Sequence, residues 1–416
     1  MREMKDSGIE WIGEIPKDWK LCKVNYLFRI GRGRVIAQTE LNESGTYPVY
    51  SSQTKNNGCL GYIDTFDFDI DQLTWTTDGA NAGTVFLRTG KHNCTNVCGT
   101  LQLLNNQNDL RYQKYALEYI AYYHKRADTN GYKIMNNEMA SIHTIVPSLF
   151  EQERIANYLD IKCEKIDKMI AKEQEEIEKL QEYKQSIITE TVTRGLNTNV
   201  EMKDSGNVIL GLIPSNWEAI KLKRIAKQFY RGLGITKEEI VENGETACVR
   251  YGEIYTRYDI FFDICLTKTD KNKLSNLQYF SYGDILFALT GELVEEIGKS
   301  VVYLGTQECL AGGDIAIMKH NQNPKFLGYA LGSDSSIAQK GYGKSKLKVV
   351  HTSVSHLGDI MIALPNLEEQ SKIVQFLDKK INNINLLIMN KNEIIEKLMS
   401  YKKSLIYEVV TGKKEV

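Results

Sequence analysis

The chain has no apolar run approaching the roughly 18 residues that a membrane span needs. Its opening residues, MREMKDSGIEWIGEIPKDW, hold no apolar core of the length of a secretory signal. Both absences point to the cytoplasm and away from any membrane. There is no C-x-x-C pair either. The eight cysteines are scattered, with Cys94 and Cys98 alone close together, which leaves nothing to complete a zinc site. They read as thiols of a reducing compartment. The six histidines fall into no H-E-x-x-H or other metal spacing, and no G-x-S-x-G elbow occurs. An excess of one charge is missing too: 52 Lys and Arg stand against 53 Asp and Glu, for a net charge of −1. No overall field draws the chain to nucleic acid, so any such binding must come from local patches or from partners that supply positive charge.

Two near-motifs fail on spacing. Gly291-x6-Gly298-Lys299-Ser300 is two residues too long for the phosphate-wrapping G-x4-G-K-S. Asn323-Pro324-Lys325-Phe326 lacks the second proline of an Asn-Pro-Pro-aromatic loop, and no Gly-rich cofactor loop precedes it. It reads as a turn before a helix. A catalytic role is not expected, and no cofactor is expected in this chain.

What is present is a repeat. Residues 147–193 align without a gap onto 365–411 at a constant offset of 218, with 22 of 47 positions identical. Among these are Pro147/Pro365, Glu151/Glu369, Gln152/Gln370, Leu159/Leu377, Asp160/Asp378, Leu180/Leu398 and Tyr183/Tyr401. A shorter echo opens each half: MKDSGIEWIGEIPKDW at 4–19 returns as MKDSGNVILGLIPSNW at 202–217. The residues between the echoes hardly match. Repeats decide architecture before anything else, and here the frame is kept while its filling varies.

Steps of three and four give one seam through Ala156, Leu159, Cys163, Ile166, Ile170, Glu173, Ile177, Leu180, Lys184 and Ile187. The second runs through Val374, Leu377, Ile381, Ile384, Ile388, Lys391, Ile395, Leu398, Lys402 and Leu405. These are heptad seams over about four heptads, long enough to bury each other as a coiled coil. Pro147 and Pro365 precede the helices and Gly195 and Gly412 stop them. The polar seam positions, Glu173/Lys391 and Lys184/Lys402, suit a role in fixing register. Length predicts two to four domains. The divisions are 1–146, a helix over 147–195, a flexible polar link over 196–212, a second globular segment over 213–364, and a helix over 365–412. Both globular segments read as mixed α/β. GTYPVYSS, GDILFALTG, KSVVYLG, DIAIMKH and DIMIALP predict strands, and 112–125 and 325–339 predict helices.

Features suited to nucleic acid lie in these segments. Small hydroxyl and amide residues on tight loops can approach base edges, while Lys and Arg meet phosphates. In the first segment the candidates are Ser51, Ser52, Gln53 and Lys55, then Thr76, Thr77, Asn81, Arg88, Lys91, His92 and Asn93. In the second they are Arg250, Tyr251, Thr290, Lys344, Ser345, Lys346 and Lys348, the last three lysines at strand spacing beside a Gly-x-Gly.

Two dissimilar segments are thus each opened by IPxxW and followed by a helix that runs from PxLxEQxxI to Tyr-Lys-x-Ser. This pattern strongly resembles the DNA-specificity subunit of type I restriction-modification systems, over nearly the whole chain. The resemblance implies two target-recognition domains separated by two long helices that form an antiparallel coiled coil with a pseudo-twofold repeat. Each domain would read one half of a bipartite site in double-stranded DNA. It also implies two methyltransferase subunits, docked on the helices and carrying S-adenosylmethionine, and two restriction subunits that use ATP and Mg. The alternatives are a self-sufficient DNA-modifying enzyme, against which the missing cofactor loop speaks, and a coiled-coil scaffold that reads no DNA.

Overall fold

The computed structural model describes residues 2–129, 131–197, 199–242, 244–274, 277–345 and 349–416, with the backbone alone at Lys273. It divides into two compact units, one of Met1–Gln174 with Asn392–Val416 and the other of Glu175–Lys391. The division runs through both long helices, Leu149–Arg194 and Leu367–Val410. It does not follow the helix boundaries taken from sequence, because half of each helix packs with each globular segment.

In the first unit two four-stranded sheets form the globular part. One has the order Val85–Arg88, Gln72–Thr76, Cys98–Leu103, Phe28–Arg32, all antiparallel. The other has the order Cys59–Ile63, Tyr47–Tyr50, Lys91–Cys94, Phe68–Asp69, with its middle pair parallel. Helix Leu110–His124 covers the outer face of the first sheet, where Leu117, Ile120 and Ala121 bury against Leu73, Trp75, Val85 and Leu101. Strand alternation turns Gln72, Thr74 and Thr76 the other way, toward the second sheet. Strands Lys20–Lys23 and His143–Val146 pair at the entry and exit of the segment.

The second unit repeats this plan. Its larger sheet has the order Ala226–Arg231, Ile315–His320, Ile285–Ala288, Ser300–Tyr303, Phe261–Phe262. Its smaller one runs Thr267–Thr269, Thr246–Val249, Cys309–Ala311, Tyr279–Phe280, with the middle pair again parallel. The expected helix over 325–339 is two, Pro324–Leu331 and Asp334–Gly341, broken where Ser333 caps the second through Ser336 N. The expected flexible link holds strand Met202–Asp204, which pairs with Leu212–Pro214 as Met4–Asp6 pairs with Glu14–Pro16.

The long helices are continuous through both seams and run antiparallel, with Lys402 paired to Asp167 at 2.7 Å and Lys391 paired to Glu176. In the first unit Leu159 and Ile166 bury with Leu405, Ile406 and Val409 around Trp19. In the second, Val374, Leu377 and Ile381 bury with Ile188 and Val192 around Trp217. Ile384 is buried as well, whereas Ile170, Ile177, Leu180, Ile388, Ile395 and Leu398 are half-buried. Each fully covered Leu contributes about 2 kcal/mol. Two seam expectations need correction. Ile188 takes the buried place expected for Ile187, and Lys184 pairs with Asp259 of the globular part at 3.2 Å, not across the helices.

The repeated polar residues latch helix to globular part in the same way in each unit. Gln152 is fully buried; its Oε1 accepts from Asp109 N at 3.0 Å, and its Nε2 donates to Asn108 Oδ1 and Pro147 O. Gln370 does the same with Asn323 N, Gln322 Oε1 and Pro365 O. Asp160 accepts from Tyr115 and Arg111, and Asp378 from Tyr329 and Lys325. Gln152→Leu and Gln370→Leu should each cost about 1–3 kcal/mol, because backbone groups stay buried without partners. Urea denaturation of the full chain measures this, and a change below 0.5 kcal/mol (a rough threshold) would deny the latch.

A second outcome concerns pH. Lys340 is buried, donating to Leu331 O at 2.7 Å and Ser300 Oγ at 3.1 Å, and burial pushes its ammonium down to about 7. Between that value and the ordinary value of 10.5 the unfolded chain holds the extra proton. Stability of the wild type therefore rises with pH across this window relative to Lys340→Met. The gap should move by about 1.4 kcal/mol per pH unit at most. Parallel urea midpoints for the two proteins at pH 7.5 and 9.5 (roughly spanning the window) would exclude it.

Candidate nucleic-acid interface

At one end of the first globular part four loops converge. Thr95 N donates to Tyr50 O at 2.8 Å and Thr95 Oγ1 to Ser51 Oγ at 3.1 Å. Arg34 N donates to Cys94 O, and Thr77 N to Val97 O. Asn81 Nδ2 reaches Thr54 Oγ1 at 3.2 Å. Residues 31–34, 51–58, 77–84 and 94–97 therefore share one surface, with Ser51, Ser52 and Gln53 half-exposed and Lys55 and Asn81 exposed. Lys91 is exposed as well, over the ring of Phe66.

The other first-segment candidates lie inside. Thr76 holds the 77–84 loop through Asn81 O, and Thr77 Oγ1 bonds Asp78 Oδ2 and Val97 O. Asn93 is buried, donating to Thr65 O and accepting from Asp67 N. His92 is buried against Gln72 at 2.8 Å, and burial lowers its pKa. Arg88 is 1% exposed, bonded to Thr74 Oγ1 and Asn57 O. The expectation that Thr76, Thr77, Arg88, His92 and Asn93 meet DNA is corrected: all five are buried, Thr76, Arg88 and His92 between the two sheets and Thr77 and Asn93 bonded into neighbouring loops. Polar sequence suggested surface, but these side chains take hydrogen-bond partners inside, with Arg88 Nη2 alone among them left without one.

In the second unit, the residues after Thr246–Val249 occupy the place that 51–58 holds in the first. There Arg250 and Tyr251 open a short helix, Tyr251–Thr256, at the rim of a concavity of about 650 Å³. Residues 234–237 and 312–314 complete the rim. Arg250 is half-buried and Tyr251 exposed. Thr290 is mostly buried, bonded to His351 at 3.1 Å, which corrects its assignment as a free contact. Thr290–Gly291 pairs with Val350–His351 and so anchors that stretch. Lys344 is half-exposed and Ser345 exposed; Lys346 and Lys348 lie outside the described residues.

Sequence reasoning missed the first unit's counterpart of that stretch. Strands Arg126–Asp128 and Gly131–Lys133 form a hairpin whose second strand pairs with Asp78–Gly79. It brings Arg126, Tyr132 and Lys133 beside the 77–84 loop. The Asn-Gly step at 130–131 was its readable signal.

Among the described residues no helix is long and apolar enough to cross a membrane. A family model described as the type I restriction modification DNA specificity domain matches twice, at residues 16–180 and 214–397. The chain is similar to the N-terminus of a type I specificity subunit from Mycoplasma pneumoniae, 41% identical over 142 residues, 34% of this chain and 76% of that one. It is 38% identical to the MpnII specificity subunit of the same organism over 33% of this chain and 42% of that protein. A match along nearly the whole length is the MjaVIII specificity subunit of Methanocaldococcus jannaschii, 26% identical over 96% of this chain and 93% of the relative. Among solved structures, a chain from a type I restriction-modification complex shares the fold at a TM-score of 0.67 and 14% identity, covering 95% of this chain and 98% of its own.

Lys55 and Lys344 both stand free of carboxylates among the described residues. Lys55→Ala and Lys344→Ala should each weaken DNA binding evenly across sequences and lower the salt slope by about 0.9. Titrations of the full chain over a range of salt measure this; unchanged slopes would place both lysines off the DNA.

Proposed function

The chain belongs to the type I restriction modification DNA specificity family, and on that footing we propose that it is the non-catalytic, sequence-reading subunit of a type I restriction-modification enzyme. Each globular part reads one half of a bipartite target in double-stranded DNA. Two methyltransferase subunits dock on the repeated helices and bring S-adenosylmethionine. Two restriction subunits join them and bring ATP and Mg. The complex works in the cytoplasm.

The observation that carries this reading is that one frame occurs twice around two different fillings. The Gln and Asp latches, the Trp19 and Trp217 packing and the sheet order recur, whereas the loops at the converging ends do not. A duplicated frame offers equivalent surfaces to two identical partners. Half-buried Ile177, Leu180, Ile388 and Ile395 leave apolar area along both helices for such a partner to cover. The near-neutral chain leaves phosphate binding to be shared with partners.

Exchanging residues 20–146 for the equivalent segment of a related subunit moves both neck strands, Lys20–Lys23 and His143–Val146, together. In cells carrying the whole system, methylated positions should change in one half of the target and stay the same in the other. A swap that altered both halves would mean that the two globular parts read the site jointly.

A further inference from the structure

We propose that the Ser51–Gly58 loop is a base-reading finger whose tip amides, Asn56 and Asn57, take the edge of an adenine in the major groove, and that Arg88 is its positioning residue. This rests on the reading of the first globular part as a DNA reader.

The tip has an unusual backbone. Asn56 and Asn57 have φ of 50° and 53°, and they are the only non-glycine residues with positive φ among the described residues. Gly58 follows at 79°. Left-handed conformation costs an L-residue on the order of 1 kcal/mol, less for Asn, and such strain collects at functional sites. Asn42 and Asn105 use their side chains to close their own turns, at Ser44 N and Gln107 N. Asn56 and Asn57 do not. Both are exposed, and neither amide has a hydrogen-bond partner among the described residues. An Asn amide offers one donor and one acceptor side by side, the complement of adenine N7 and N6.

Arg88 holds this tip from beneath. Its Nη1 donates to Asn57 O at 2.7 Å and its Nε to Thr74 Oγ1 at 3.0 Å, while its guanidinium lies 3.6 Å from the Tyr50 ring centroid and 4.3 Å from that of Phe86. No carboxylate pairs with it among the described residues, and Nη2 is buried without a partner. A Cβ on Gly58 would stand 2.8 Å from Nη2, so the contact under the loop is close. Burying an unpaired cation destabilises a fold, and this fold does not need one there. By strand register, Tyr303 occupies the corresponding place in the second unit, in an apolar layer with Phe262 and Phe280. A costly group that packing does not require, bonded to the carbonyl of a strained tip, is explained by the geometry it fixes.

The test uses the complete system in cells, with methylated positions mapped genome-wide. Asn56→Gly/Asn57→Gly removes the amides but keeps the turn, because glycine adopts positive φ freely. The variant should keep its melting temperature. One or two adjacent A·T positions in one half-site should lose discrimination on the order of tenfold, with the other half-site unchanged. Arg88→Met should relax the same positions. Thr74→Val, nearly isosteric, should do so too and serves if Arg88→Met does not fold. Unchanged specificity in the glycine variant would overturn the finger. So would an even loss of modification without altered preference, which marks phosphate contacts, or relaxation at G·C positions. Relaxation elsewhere, or none, in Thr74→Val would remove Arg88 from its role. If exchanging residues 20–146 left both half-sites as they were, the first part's identity as a reader would fail, and not the finger alone.

Discussion

A buried glutamine near the start of each long helix is the joint on which the rest of the molecule depends. Gln152 and Gln370 each close a short helix start, a proline carbonyl and a loop side chain into one dry, fully bonded cluster. Nothing in such a cluster can shift without stranding a backbone group. The aspartates eight residues on, Asp160 and Asp378, take a tyrosine and a cation from the same short helix. A glutamine and an aspartate two turns apart therefore fix both position and rotation of each globular part on its helix. The repeat in the sequence is a repeat of this joint.

Freed from stabilising its own attachment, each globular part can fill its interior differently. Between its two sheets the second unit packs Leu286, Val301, Ile317, Phe280 and Tyr303. The first places Gln72, Thr74, His92 and Arg88 in that layer, bonded to one another or to loops. Both solutions share one four-strand order in the larger sheet, to which the second unit adds Phe261–Phe262 at one edge, so the common topology does not decide between them. The polar layer gives up apolar burial for directional bonds, and those bonds reach the loops at one end. Interior chemistry and loop geometry are thus linked in the first unit in a way that an apolar layer would not provide.

This linkage also explains what could be read in the sequence. The strands at 47–50, 285–288, 300–303, 315–320 and 361–364 announced themselves because one or both faces are apolar, and both long helices because their seams hold period. The helix at 110–124 was legible within two residues for the same reason. Arg88, His92 and Asn93 were illegible. A window of Thr, Asn, Arg and His reads as surface by composition, and only the second sheet, in which Asn93 pairs with Val49 from 44 positions earlier, turns it into an interior. Thr290 was misplaced likewise, by a pairing with His351 sixty-one residues on. The left-handed tip at Asn56 and Asn57 had a local signal, consecutive asparagines before a glycine, but its meaning came from an arginine 31 residues later. Local pattern carries secondary structure because the backbone's needs are local. A recognition site is built from groups whose burial and partners are set across the fold, and those become visible only when the sheets are in place.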